Sequence, residues 1–300
     1  MQPMLLSLML ILPSQLAAEK PKVAPEANDE ALRTSVAVAA KEFAGRCEFT
    51  AGESEKTKLV LYPEPVLRFS NPTAGTVLGD IFVWTENGRP AVWGNWYRWF
   101  APGKGRVFEV TSLSERPVAG RVNDIEFWNT SKPGLALKPL PGVDAPAREA
   151  RSRLVQMRRL AGDFATHLAD TRGNERVVKR QLRLLPQPVF RYLTPQADAT
   201  YLDGALFVFV EGTDPETILI LEASKLNDKA IWQFGLARNN SDPIRVTFRD
   251  KEVWSAMKID NILNMTREPY SSFTSEELLD KPGNNEKKPV IRTRERVLAF

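Results

Sequence analysis

Leu59-Val60-Leu61-Tyr62-Pro63-Glu64-Pro65-Val66-Leu67-Arg68-Phe69-Ser70-Asn71-Pro72 is answered later in the chain by Leu182-Arg183-Leu184-Leu185-Pro186-Gln187-Pro188-Val189-Phe190-Arg191-Tyr192-Leu193-Thr194-Pro195. Both strings read L-x-L-x-P-x-P-V-x-R-aromatic-x-x-P, and they stand 123 residues apart. Self-similarity at a fixed offset points to duplicated architecture before any element is assigned. The match runs outward from the strings. Gly79-Asp80-Ile81-Phe82-Val83-Trp84 aligns with Gly204-Ala205-Leu206-Phe207-Val208-Phe209, Glu86 with Glu211, and Pro90 with Pro215. Upstream, Ala40, Phe43 and Ala44 align with Ala161, Phe164 and Ala165, and Gly52 with Gly173. The offset steps from 121 to 123 to 125, each time in a turn-rich stretch. Loops absorb such insertions, whereas packed elements do not.

Hydrophobic spacing fills in the repeat. Leu32, Val36, Ala39, Ala40 and Phe43 recur at three- and four-residue intervals, which predicts a helix from about Asp29 to Ala44. Leu154, Met157, Leu160, Ala161, Phe164 and Leu168 make the same stripe and predict its counterpart from about Ala147 to Ala169. Strands follow each helix. The prolines of the repeated string lack backbone donors, so that string belongs at a strand end or a sheet edge. Further strands are expected at Gly79 onward, Ala91 to Phe100 and Arg106 to Leu113. Their counterparts are Gly204 onward, Glu216 to Ala223 and Ile231 to Leu236, with Ile244 to Phe248 and Glu252 to Met257 added. The fold class is α+β: two tandem repeats, each an N-terminal helix followed by an antiparallel meander of four or more strands.

One detail carries further. Leu206-Phe207-Val208-Phe209-Val210 and Ile218-Leu219-Ile220-Leu221 are apolar on both alternating faces. An antiparallel strand with one wet face alternates with polar residues. Both faces of the second sheet are therefore expected to be covered: one by its own helix, the other by the first repeat, the C-terminal tail or a second chain.

The rest of the chain organises around the repeats. Residues 1–18 read as a secretory signal, with an apolar core from Leu5 to Leu12 and Leu16-Ala17-Ala18 before Glu19. The n-region has no Lys or Arg, and a buried N-terminal helix is the alternative. The first repeat is assigned to residues 19–130, its start at 19–27 being polar, and the second to 148–258. A Pro- and Gly-rich linker at 131–147 joins them. Residues 259–300 form a polar, loosely held tail whose apolar end, Val290 to Phe300, is a candidate last strand.

Composition limits the function classes. The net charge is +4 and there is one cysteine, Cys47. An exported chain with a single thiol has no internal disulfide, and Cys47 reads as a small buried residue. Arg148, Arg151, Arg153, Arg158 and Arg159 cluster, as do Lys179, Arg180 and Arg183, giving either solvated helix faces or a site for an anionic envelope polymer. Nucleic acid is not an expected partner, because acids are interspersed and no binding motif is present. No segment past the signal reads as transmembrane, so an integral membrane protein is not expected. Three sequons, at Asn129, Asn239 and Asn264, matter only in a glycosylating host.

Candidate chemistry is sparse. His167, the one histidine, would have to serve any Ser-His-Asp triad or histidine metal site; its place at the margin of the predicted helix stripe reads equally as a boundary residue. No nucleotide, metalloprotease or nucleophile-elbow motif occurs, and no metal or cofactor is expected. Asp203, Asp214, Glu216 and Glu222 are the best carboxylate group, able to serve glycoside hydrolysis if two face each other, or turn capping if they do not. Trp93, Trp96, Tyr97 and Trp99 form an aromatic strand. One of its faces suits the core and the other suits a stacking platform for sugar rings or a partner protein, unless both are buried.

Arg153-Leu154-Val155-Gln156-Met157-Arg158, the string at 182–188 with Arg191-Tyr192, Asp203-Gly204-Ala205-Leu206-Phe207 and Gly212-Thr213-Asp214-Pro215-Glu216 resemble an uncharacterised family of exported bacterial proteins typical of planctomycetes. The likeness covers most of residues 30–255. It implies export and a shared fold, and it carries over no functional residue.

The leading expectation is a secreted or periplasmic, non-enzymatic binding or envelope-associated protein. An envelope glycan or a protein would be held by the aromatic strand at Trp93, Trp96, Tyr97 and Trp99. The alternatives are a hydrolase of envelope polymers using the carboxylates near Asp203 to Glu222, and a purely structural, pseudo-symmetric protein.

Overall fold

A computed structural model describes residues 26–72, 75–101, 103–170, 178–194, 201–227 and 229–279. The expected signal at 1–18, Gly173 and the candidate strand at 290–300 lie outside them.

Helix α1 (Glu26–Arg46) runs straight into β1 (Cys47–Ala51). Then come β2 (Thr57–Lys58), β3 (Val60–Leu61), β4 (Leu67–Ser70), β5 (Thr76–Glu86), β6 (Arg89–Ala101), β7 (Gly105–Ser112), β8 (Val118–Val122) and β9 (Ile125–Asn129). Strand β10 (Lys138–Pro139) precedes α2 (Ala150–Gly162). The second half continues with β11 (Phe164–Asp170), β12 (Val178–Gln181), β13 (Arg183–Leu184), β14 (Phe190–Leu193), β15 (Tyr201–Glu211), β16 (Asp214–Leu226), β17 (Lys229–Arg238), β18 (Ile244–Phe248) and β19 (Lys251–Ala256). Strand β20 (Tyr270–Thr274) and α3 (Ser275–Leu279) close the described chain. The architecture is mostly antiparallel sheet with few helices.

The strands form four sheets. Two have four strands, in the orders β2-β1-β8-β9 and β12-β11-β18-β19. Two have six, in the orders β20-β7-β6-β5-β3 and β10-β17-β16-β15-β13, with β4 pairing β5 and β14 pairing β15.

The repeated proline string is the broken outer edge of each large sheet. Tyr62 N–H donates to Val83 O and Val66 N–H to Ile81 O, both at 2.8 Å. Leu185 N–H donates to Val208 O at 3.0 Å and Val189 N–H to Leu206 O at 2.9 Å. In both places the edge strand advances four residues while its partner advances two, so P-x-P bulges out of the ladder. Proline tolerates this because it has no N–H to leave unpaired. An edge interrupted in this way also resists pairing with a stray strand.

A second local rule links the strings to their sheets. A Cβ on Gly204 would come within 2.2 Å of the Tyr192 ring, and one on Gly79 within 2.5 Å of the Phe69 ring. Each aromatic lies flat over a glycine of the neighbouring strand, Tyr192 opposite Gly204 and Phe69 opposite Gly79. Only glycine leaves room for that approach.

Three apolar cores result. The first lies between one face of the β5-β6-β7 sheet and α1 with the small sheet, and holds Val36, Ala40, Phe43, Phe49, Trp84, Trp96 and Trp128. The second repeats this around α2, with Met157, Leu160, Phe164, Phe207, Leu221 and Trp232. The third joins the two large sheets through Ile81, Val83, Trp93, Leu206, Val208, Ile218 and Ile220. The face of the second large sheet that its own helix does not cover is therefore packed on the first large sheet.

Three expectations are corrected. The second helix does not reach Ala169; it stops at Gly162, and Asp163 caps it. Leu160, Phe164 and Leu168 fit a helical stripe, but Phe164, Thr166 and Leu168 are buried in strand alternation with half-buried Ala165 and His167. The ladders to β18 and β12 satisfy this backbone as strand β11. The linker is not idle, since Lys138 and Pro139 pair with Phe234 and Gln233, with Leu135 and Leu140 buried beside them. Nor is the segment after 259 loosely held throughout: Tyr270–Thr274 adds a strand to β7 and buries Tyr270 and Phe273.

Candidate binding groove

Where the two proline strings meet, they leave a groove of about 540 Å³. Tyr62, Glu64, Pro65 and Val66 line one side and Val189, Phe190, Arg191, Tyr192 and Leu193 the other, with Thr85 and Gly88 at the end. The aromatic rings form a descending series. Tyr62 is 43% exposed. It meets Phe190 edge to face at 5.1 Å. Phe190 stacks near Tyr192 at 6.3 Å, and Tyr192 meets Tyr201 at 5.4 Å. Leu193, 47% exposed, adds an apolar rim.

Two polar knots hold the lining residues Arg191 and Tyr192. In the first, buried Asp203 accepts from Arg153 Nε at 2.9 Å and from Arg191 Nη2 at 2.8 Å and Nε at 3.1 Å. Arg153 also donates to the carbonyls of Ala147 and Arg148, and Arg191 to that of Ala150. These bonds fasten the start of α2 to β14 and β15. In the second knot, Glu222 accepts from Arg89 Nε, Tyr192 Oη and Ser224 Oγ, each at 2.8 Å. Arg89 comes from the other half of the chain, and its Nη1 reaches Glu115 at 3.2 Å. Burial works against the Arg89 charge, but Glu222, Tyr192 and Glu115 outweigh it and hold its pKa above the ordinary value. Burial, reinforced by Glu222, pushes the Tyr192 phenol well above its usual range. The tyrosine therefore acts here as a neutral donor.

This arrangement answers the carboxylate expectation. Asp203 and Glu222 are ion-paired. Asp214 accepts from Asn71 Nδ2 at 2.7 Å, and Glu216 accepts from Asn240. None of the four lines the groove or the second cavity, at Pro133–Lys138 and Trp254. Asp214 and Glu216 instead join Glu109 in an acidic patch between the large sheets. Burial pushes Glu109 and Asp214 up to about 7 and Glu216 well above the carboxylate range. Tyr97 Oη donates to Glu109 at 2.8 Å.

Two of the four aromatic-strand residues are structural. Trp93 is buried between the two large sheets, and Trp96 in the core under α1. Tyr97 and Trp99 are half-buried, with ring centroids 6.5 Å apart. Trp93 and Trp96 have no surface to offer a ligand, because two faces that each meet a core leave none for a platform. Cys47 is buried, and desolvation raises its thiol pKa far above the ordinary value. His167 stands on β11 opposite Arg245 and Gln181. Among the described residues no cluster of His, Cys, Asp and Glu is arranged to hold a metal ion. No helix among them is long and apolar enough to cross a membrane.

Comparison with protein-family models, curated proteins and solved structures finds no match. The site therefore stands on its geometry. Tyr62, Phe190, Arg191 and Leu193 had not been singled out as site residues, although the signal was present: they stand within the two repeated strings, which their prolines place at sheet edges.

Proposed function

We propose that this chain is an exported, non-enzymatic binding protein whose ligand lies in the groove between the two proline strings. The observation that carries the reading is the groove itself: aromatic and aliphatic walls from both halves, two lining side chains, Arg191 and Tyr192, held by buried carboxylates, and an exposed tyrosine and leucine. Binding sites are typically apolar concavities with a few oriented polar groups. The carboxylates that hydrolysis would need are occupied in ion pairs and in hydrogen bonds from asparagine amides. The apolar core from Leu5 to Leu12 with Leu16-Ala17-Ala18, and the likeness to exported bacterial proteins, support export to the periplasm or beyond.

The same reading takes the two halves as copies of one module. Its support is the matched strand order of the small and large sheets, the shared P-x-P bulge and the shared glycine beneath an aromatic.

The test is retention of envelope glycans, lipids or proteins on the immobilised chain, followed by Tyr62→Ala with Leu193→Ala. Retention of a species by the native chain and its loss in the double variant is expected. Retention unchanged in the double variant, or lost only when Trp99 is replaced, would remove the groove from the account.

A further inference from the structure

The edges of the large sheets opposite the proline strings are finished differently, and the difference leaves a cleft. The correspondence of residues between the edges rests on the reading of the halves as copies. Phe108 lies opposite Trp96 in the first large sheet, and Phe234 lies opposite Leu221 in the second. Trp96 and Leu221 are equivalent at the offset of 125, so Phe108 and Phe234 hold the same place. Trp128 opposite Gly120 and Trp254 opposite Val246 are likewise matched, as are the bulged residues Phe127 and Val253 just before them.

In the first half an extended segment covers this corner. Phe273 stands opposite Phe108 on β20 and meets the Phe127 ring edge to face at 5.0 Å. Trp128 is completely buried beneath the segment, and its indole N–H donates to Glu268 O at 2.8 Å. Asn129 N–H donates to Thr266 O at 2.7 Å. In the second half the place of Phe273 is taken by Lys138, which is exposed, and pairing is limited to Lys138 and Pro139. The space left is a cavity of about 290 Å³ lined by Leu135, Lys138, Phe234, Leu236, Val253 and Trp254.

We propose that this cleft takes an extended segment of a partner protein, which inserts one phenylalanine or tyrosine ring against Val253 and Trp254 and presents an adjacent carboxylate to Lys138. The first half supplies the template, because the same corner there is filled by a strand with an aromatic anchor. Lys138 and Pro139 already pair with the sheet edge, so the apolar pocket beside them selects the incoming side chain. The Lys138 ammonium at the mouth selects against a basic neighbour.

The probe is a capped, fluorescein-labelled peptide of residues 266–275 carrying Thr274→Asp, which sets a carboxylate beside Phe273, read by anisotropy against the full chain. Saturable binding is expected, at least about tenfold weaker for the peptide carrying Phe273→Ala and for Trp254→Ala, and abolished in Lys138→Phe, whose ring fills the cleft. No saturable binding by the native chain, or equal binding by Lys138→Phe, overturns the proposal. Concentration-dependent dimerisation that Lys138→Phe abolishes would assign the cleft to a second copy instead and overturn it as well. The thermal midpoint of Lys138→Phe tests the correspondence of the halves separately. A rise upholds the correspondence whether or not the peptide binds, and a fall together with peptide binding retains the cleft without it.

Discussion

Arg89 of the first half reaches Glu222 of the second, Nε to Oε2 at 2.8 Å, and Glu222 is almost wholly shielded from solvent. The pair bonds to Tyr192 of the groove wall and bridges the two large sheets. Breaking a buried pair leaves one charge desolvated and uncompensated, which costs about 3–5 kcal/mol. Arg89→Ala is therefore expected to lower the urea unfolding free energy by about 3 kcal/mol, since Arg89 keeps partial solvent access. Removing both charges, in Arg89→Met with Glu222→Gln, is expected to cost less than Arg89→Ala alone. A double variant worse than either single one would contradict the bridging role.

The acidic patch between the sheets makes stability depend on pH in an unusual direction. Burial raises Glu109 from 4.5 to about 7, and Asp214 and Glu216 are raised beside it. Asn71 and Asn240 donate to these acids, and Tyr97, Tyr270, Asn95 and Arg238 stand around them. The folded state holds protons that the unfolded chain has released, so this contribution is complete below about 4.5 and disappears as pH rises through about 7. For Glu109 alone the difference corresponds to roughly 3 kcal/mol. The urea midpoint is expected to fall between pH 5 and pH 8, and Glu109→Gln to flatten that slope. A midpoint that rises over this range would refute the assignment.

Gly204 sits beneath the Tyr192 ring, where a Cβ would come within 2.2 Å. Gly204→Ala is expected to destabilise by about 1–3 kcal/mol, the usual cost of overpacking a filled site. Tyr192→Ala should relieve part of that penalty in the double variant, because the clash is with its ring. Additive effects in thermal melts would locate the strain elsewhere.

Cys47 is expected to be inert toward a thiol reagent in the native chain at pH 8 and to react fully in denaturant. Its thiol is buried and desolvation suppresses the thiolate. Rapid labelling of the native chain would show that the start of β1 opens readily.

How far the fold could be read follows from which forces are local. The long strands, Thr76–Glu86 and Tyr201–Glu211 with their partners, were legible because their apolar runs and turns are written in adjacent residues. The proline string was legible as an edge, since proline excludes itself from a ladder. The end of α2 was not. Leu160, Phe164 and Leu168 satisfy a helical period, while the ladder that makes Phe164–Asp170 a strand comes from Ile244–Phe248, far along the chain. The role of Tyr270–Thr274 was hidden for the same reason: its partner, β7, lies in the opposite half of the sequence.

The candidate site divides in the same way. The residues of the groove stand in the very strings that open the sequence reading, and their aromatic and proline content marked a sheet edge. The carboxylates and tryptophans looked functional because their type is suggestive, but type does not reveal partners. Asp203 meets Arg153 and Arg191, Glu222 meets Arg89, and Trp93 meets the opposite sheet only when the halves close on each other.

By itself, the sequence determined the repeated string, the broken edges and the need to cover both faces of the second large sheet. These follow from side-chain period and from the missing N–H of proline, which are properties of neighbouring residues. Only the tertiary structure decided what covers that face, which charges are neutralised and where open space remains. Those outcomes depend on contacts between residues far apart in the chain, which exist only once the two large sheets pack face to face.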